Sequence, residues 1–267
     1  MKFVHNSNTI LKVYRLNSEK LFSECTILNN KLEITGWIIV NVHNFIIENA
    51  AWEAYRSPDG MIGQFKIPEL EGIEAYLHSG EHLKRILGGK GQEIIRELIS
   101  NCIRGIVQVD CFLLDARGYK SYDEYFKYFS TQHANACYLY SNTDKWDWKG
   151  KEYNPRTNVL FTRLITTNIL CDDNGKYYTT SLFSDSHHQL NLHIITNSEG
   201  IVTSAEGEYD RGPRELCFEN KRHFKKLIGK NIFKMNKKDI ASLVGGSEGC
   251  DHLVSLVYNT ALALRDA

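Results

Sequence analysis

A thiol and an imidazole stand two residues apart in the run Gly245-Gly246-Ser247-Glu248-Gly249-Cys250-Asp251-His252-Leu253. A helix that opens at this corner and runs toward residue 267 puts both side chains at its N-terminus. There the free N–H groups and the helix dipole favour a thiolate over a thiol. Such a sulfur can act as a nucleophile with a histidine base, or as a metal ligand. Cys-x-His alone does not complete a metal site, because zinc spacing needs a second pair of donors elsewhere. The plain alternative is a tight glycine corner, with Cys250 packed inward and His252 hydrogen-bonded.

Other donors are available in the same part of the chain. His187 and His188 precede a strand, and neighbours on a strand face opposite ways, so only one can face a given site. His193 shares the parity of His187. Cys217 begins a helix after Gly212-Pro213, where it serves as a core thiol or as a donor. Glu206, Glu208 and Asp210 fall at period two. On one strand they form either a solvated face or, turned toward Cys250, a carboxylate ligand or general base.

Composition narrows the setting. The chain has 267 residues, long for one compact domain and comfortable for two. Hydrophobic residues are 42% and charged residues 24%, the profile of a soluble globular protein. Lys plus Arg and Asp plus Glu are each 32, and this balance argues against a dedicated nucleic-acid protein. One basic patch stands out at Lys221, Arg222, Lys225 and Lys226. The seven cysteines are odd in number and contain no Cys-x-x-Cys pair. No apolar run approaches the roughly 20 residues of a membrane span, and no signal peptide is visible. The reading is a cytoplasmic protein with mostly free thiols. It has no nucleic-acid or membrane partner, and a protein partner or a second copy of the chain remains open. No phosphate loop, dinucleotide fingerprint or hydrolase elbow is present.

The elements that must position these residues follow from periodicity. Strands are expected at 10–14, 31–34, 37–42 and 45–50, and a helix at 69–77 ended by Ser79-Gly80. A longer helical pattern covers 93–114. Tyr122, Tyr125, Phe126, Tyr128 and Phe129 lie at helical spacing and form a buried or docking face. A binding module would use that run together with Trp146 and Trp148. Residues 142–155 read as a linker. In the second half, strands at 159–169, 176–182, 189–196 and 201–208 are joined by turns at 172–175 and 197–200. The two halves repeat the same order. Cys102-Ile103-Arg104 then stands where Cys250-Asp251-His252 stands, and a guanidinium has no lone pair for a metal. The expected fold is α+β, with two tandem domains that each pack helices on one face of an antiparallel sheet. Residues 1–120 form a degenerate first domain. Residues 121–156 are the aromatic segment and linker, and 157–267 carry the site.

Leu192-His193-Ile194-Ile195-Thr196-Asn197-Ser198-Glu199-Gly200-Ile201 leads a set of matching residues. The set continues through Ala205, Leu227-Ile228-Gly229-Lys230, Asp239-Ile240-Ala241 and Ala261-Leu262-Ala263-Leu264-Arg265-Asp266. Over about 75 residues it resembles the IscU/NifU-like iron–sulfur scaffold family. That resemblance implies a three-stranded antiparallel sheet with helices on one face, and a cluster held by three cysteines plus an Asp or His. Carried across, the first Cys falls on or beside Ser186 and the nearby Asp on His188. The second falls near Gly212, a turn from Cys217, and the last on or beside His252, two residues after Cys250. The resemblance thus selects His188, Cys217, Cys250 and His252 as metal ligands. This mixed set suits a zinc or iron ion better than an iron–sulfur cluster. Arg163, Cys217 and Gly-Gly-x-x-Gly-Cys-x-His-Leu also resemble an uncharacterised bacterial family marked by Gly-Cys-x-His-Leu.

Overall fold

The computed structural model describes residues 1–145 and 156–267. Trp146, Trp148 and most of the expected linker lie outside the described residues. The fold is α+β, with a large antiparallel sheet and helices. The chain divides into two compact units, neither of them one continuous stretch. One holds residues 9–126 and 156–163. The other holds 1–8, 127–145 and 164–267.

The first unit is built on β1 (Lys2–Arg15) from Thr9 onward, β2 (Lys20–Asn29), β3 (Glu33–Asn41), β4 (Ile47–Arg56) and β5 (Gly63–Lys66), neighbours in that order. Alternation gives β2 and β3 one core face each: Leu21, Ser23, Cys25 and Ile27 on β2 are buried, and so are Ile34, Gly36, Ile38 and Val40 on β3. After α1 (Ser79–Ile86), α2 (Glu93–Val109) lies across β2 and β3. It buries Leu98, Cys102, Ile106 and Val109, one stripe of a 3.6-residue period. Glycine lets it lie close: a Cβ on Gly36 would sit 2.8 Å from Leu98 Cβ, and one on Gly105 would sit 2.7 Å from Val13 Cγ2. Cys102 is mid-helix and donates to Gly36 O at 3.3 Å. His43 is held by Ala116 O at 2.8 Å.

The helix expected at 69–77 does not form. Pro68–Leu70 makes one 3-10 turn, and helix α1 starts at Ser79, where the expected one was to stop. Backbone pairing wins over helical spacing here. Ile47 N–H donates to Ile73 O at 2.8 Å, and Ala75 N–H donates to Phe45 O at 2.8 Å. The segment is thereby held against the start of β4 while Leu70, Ala75 and Tyr76 are buried. On α3 (Tyr122–Gln132), Tyr125, Phe126 and Phe129 are buried and Tyr128 is exposed. Most of the aromatic stripe is therefore packing.

The second unit contains β6 (Val159–Cys171) from Leu164 onward, β7 (Tyr177–Asp185), β8 (Gln189–Thr196), β9 (Val202–Glu206) and β10 (Tyr209–Arg211). The order is β10-β8-β7-β6, and β9 also pairs with β8. Both expected hairpin turns form. Gly175 N–H donates to Asp172 O at 3.1 Å and Gly200 N–H to Asn197 O at 3.0 Å. Both glycines take the left-handed φ, 74° and 83°, that L side chains resist. A 3-10 helix, Glu215–Leu227, leads to α4 (Lys237–Val244) and α5 (Asp251–Asp266). Asn236 and Asp239 form a reciprocal capping box that fixes the start of α4. Helix α5 packs on β7 and β8, burying Leu253, Leu256, Val257, Ala261 and Leu264 with Phe183, Leu192 and Ile194. Among the described residues no helix is long and apolar enough to cross a membrane.

Candidate metal centre

Two elements meet at the site: the loop between β7 and β8, and the glycine corner before α5. The loop is residues 185–188. Asp185 N–H donates to His188 O at 2.8 Å, closing the hairpin. The Asp185 side chain turns back on its own loop, as Asp does in an Asx turn. Its Oδ1 accepts the N–H of His187 at 2.8 Å and of His188 at 2.7 Å, and lies 3.2 Å from His188 Nδ1. Arg211 Nη2 donates to Asp185 O at 2.8 Å and to His188 O at 3.2 Å.

The corner is equally determined. Gly249 N–H donates to Gly246 O and Cys250 N–H to Val244 O, both at 2.9 Å. A Cβ on Gly249 would lie 2.2 Å from Val244 O, so only glycine fits. Tyr138 N–H donates to Gly249 O at 2.8 Å, and His223 Nε2 lies 2.6 Å from Glu248 O. Cys250, extended at φ −145°, becomes the N-cap residue of α5, and His252 is that helix's second residue. The His252 ring stacks on His188 with centroids 3.7 Å apart and planes at 28°. Phe183 also lies against it, edge-on at 5.4 Å. Nδ1 is 3.7 Å from Cys250 Sγ, and Nε2 is 4.0 Å from Asp185 Oδ2.

Asp185, His188 and His252 thus bring one donor atom each to within 4.8 Å of one another. Among the described residues this is the one group of three or more His, Cys, Asp or Glu side chains with such convergence. The Asp185 side chain is fully buried, while those of His188 and His252 are 10% and 18% exposed. Solvent therefore reaches the imidazole edges and not the carboxylate.

Two expected ligands, His188 and His252, are brought together. Cys250 touches His252 but stands outside the converging group, and Cys217 sits buried in the 3-10 helix. The helix terminus was expected to favour a Cys250 thiolate. Burial overrides it and pushes the thiol up to about 12, against a smaller downward pull from the Tyr209 phenol beside it. Burial likewise pushes Cys217 up to about 11. The Tyr209 phenol is itself raised well above its ordinary value, by burial first and then by Cys250. Glu206, Glu208 and Asp210 are exposed, lie on or between β9 and β10, and do not join the cluster. Glu208 pairs instead with Lys221 at 3.1 Å, and Asp210 accepts from Asn191 at 3.2 Å. His193 is exposed and bonds Thr180 Oγ1 at 3.2 Å. Asp185 was not anticipated. Its one sequence signal is an Asp three residues before a His at a hairpin tip, a spacing that an Asx turn brings together.

Residues 170–265 match the family model described as a protein of unknown function (DUF2889). The matched segment contains Asp185, His188, Cys217, Cys250 and His252. No curated protein and no solved structure matches the chain. Chemically, two imidazoles and one carboxylate form a nitrogen- and oxygen-rich set suited to a borderline divalent ion.

Proposed function

We propose that the unit containing β7, β8 and α5 binds a single zinc or iron ion through Asp185, His188 and His252. The observation that carries this reading is the convergence of three donors from two separate elements within 4.8 Å. Zinc and iron(II) both accept mixed imidazole and carboxylate ligands. Three protein donors leave coordination positions for water or a small ligand, so the ion acts as a Lewis acid rather than as a closed structural staple. Cys250 is a reserve donor beside His252, and Cys217 is a core thiol. An iron–sulfur cluster is less well supported, because no sulfur lies in the converging set and both nearby thiols are held protonated by burial. Residues 192–267 run through β8, β9, β10, a 3-10 helix, α4 and α5, and the iron–sulfur scaffold resemblance is kept as a proposal about the fold of this unit alone.

Elemental analysis of full-length protein prepared without chelators tests the reading. It should find about one equivalent of zinc or iron, and His188→Ala and His252→Ala should each lower it, since each ligand carries a large share of the binding energy. Less than about a tenth of an equivalent, in protein that also takes up none when offered, would sink it.

A second reading rests on the order Cys250 Sγ, His252, Asp185, spaced 3.7 Å and 4.0 Å, the sequence of nucleophile, base and orienting carboxylate. Acyl or sulfur transfer would be its chemistry. Burial of the thiol works against it. If Cys250 is alkylated with an apparent pKa well below ~8.5, this reading gains over the metal one, and a value near ~8.5 or above speaks against it.

A further inference from the structure

We infer that Arg211 is a positioning residue of the centre, holding the loop that supplies two of its three ligands. This inference rests on the metal reading above. Strand β10 is only three residues long, and its register against β8 breaks within it. Tyr209 stands opposite Leu190 and Arg211 opposite Gln189, so two steps on β10 match one step on β8. Such a bulge bends its strand and re-aims a side chain. The side chain re-aimed here belongs to Arg211, which arrives beside the residue that follows His188.

Its contacts are specific. One guanidinium nitrogen, Nη2, donates to Asp185 O at 2.8 Å and to His188 O at 3.2 Å. These are the first and last residues of the hairpin loop, and they are also two of the ligands. Asp185 N–H already donates to His188 O, so Arg211 adds a second bond across the same gap. Inside the loop, Asp185 Oδ1 is occupied by the N–H groups of His187 and His188. Oδ2 is left 4.0 Å from His252 Nε2. A loop that opened at its base would swing both Asp185 and His188 away from His252. Partners that orient metal ligands typically matter about 10–100-fold in affinity.

Charge and geometry predict opposite signs, which makes the inference sharp. A cation beside a divalent ion repels it. If Arg211 acted through its charge alone, Arg211→Ala would tighten metal binding. If it acts by holding the loop, the same change weakens binding. Lysine keeps the charge and can donate to a carbonyl, but lacks the planar fork, so Arg211→Lys should restore part of the loss.

The test is a cobalt(II) titration of the full chain, wild type, Arg211→Ala and Arg211→Lys, followed by visible absorption and by competition with a chelator. Arg211→Ala should bind about 10–100-fold more weakly, with an altered d–d band that reports changed ligand geometry. Arg211→Lys should fall between it and the wild type, and it carries the test if the alanine variant fails to fold. A purely structural role would lower the melting temperature and leave the affinity and band of the folded fraction unchanged. That result, or tighter binding by Arg211→Ala, would overturn the inference while leaving the metal reading intact. Wild-type protein that takes up no cobalt would sink the metal reading, and this inference with it.

Discussion

Gly249→Ala is the sharpest single test of how the corner makes the site. The new Cβ would stand 2.2 Å from Val244 O, 2.5 Å from Val244 C and 2.6 Å from Gly245 O. All three are backbone atoms, so no side chain can rotate away. Ordinary contact needs about 3.5 Å, so the corner must open by about 1 Å. That movement strains two bonds, Gly249 N–H to Gly246 O and Cys250 N–H to Val244 O, each now 2.9 Å. One lost buried backbone bond costs about 1–3 kcal/mol, and overpacking adds about 1–3 kcal/mol. The total is on the order of 2–6 kcal/mol. Gly246→Ala is the control three residues away. Its φ is 69° and nothing lies within 4 Å of a Cβ there, so only the left-handed backbone is penalised, by about 1 kcal/mol. Urea unfolding followed by circular dichroism gives both values. Metal titration gives the second readout, since opening the corner displaces His252. Equal stability losses for the two variants, with unchanged metal uptake by Gly249→Ala, would refute the account of the corner.

Alkaline pH should unfold the protein in a predictable direction. Burial raises the thiols of Cys111 and Cys250 to about 12 and that of Cys217 to about 11, and it raises Cys25 and Cys102 as well. The folded chain therefore keeps protons that the unfolded chain loses above pH ~9. Stability is fully present below that pH and falls as pH rises toward 11–12, by about 1.4 kcal/mol per pH unit for each such thiol. Urea midpoints that stay level between about pH 9 and pH 11 would contradict the burial of these groups. In the first unit, Gly105→Ala sets a helix-propensity gain of about 1 kcal/mol against a Cβ 2.7 Å from Val13 Cγ2 and 3.2 Å from Leu11 Cδ1. Overpacking should win, with a net loss of about 1–2 kcal/mol. A gain in stability would mean that α2 does not lie as close to β1 as these distances require.

Local chemistry was the legible part of the chain. Asp172 to Gly175 and Asn197 to Gly200 carry their turns in the residue types themselves, so the hairpins of the second unit could be placed in advance. The glycine run 245–249 announced a corner and put Cys250 and His252 at the start of a helix. What failed needed long-range information. Leu70, Ile73 and Leu77 have helical spacing, but pairing of residues 73–75 with residues 45–47 claims that backbone. Asp185 gained its place only when the hairpin tip met a helix that begins 66 positions later, at Asp251. The state of the Cys250 thiol could not be read from a helix terminus, because the effect that dominates it, burial against Tyr209 and the core, is tertiary.

The unit that holds the centre includes the first eight residues of the chain, at the start of β1. Asn6 Nδ2 donates to Asn168 Oδ1 at 3.0 Å, across a separation of 162 residues. On a ribosome adding roughly 5–20 residues per second, the start of β1 waits on the order of 8–30 s for its neighbour to be made. During that wait it is an uncovered strand end, the kind of segment that pairs with the wrong partner. Residues 9–126 carry no such dependence on late-made chain for most of their sheet. The candidate donors Asp185, His188 and His252 are made later still than Asn168, so the candidate centre can close only after this strand end has found its neighbour's residues already synthesised.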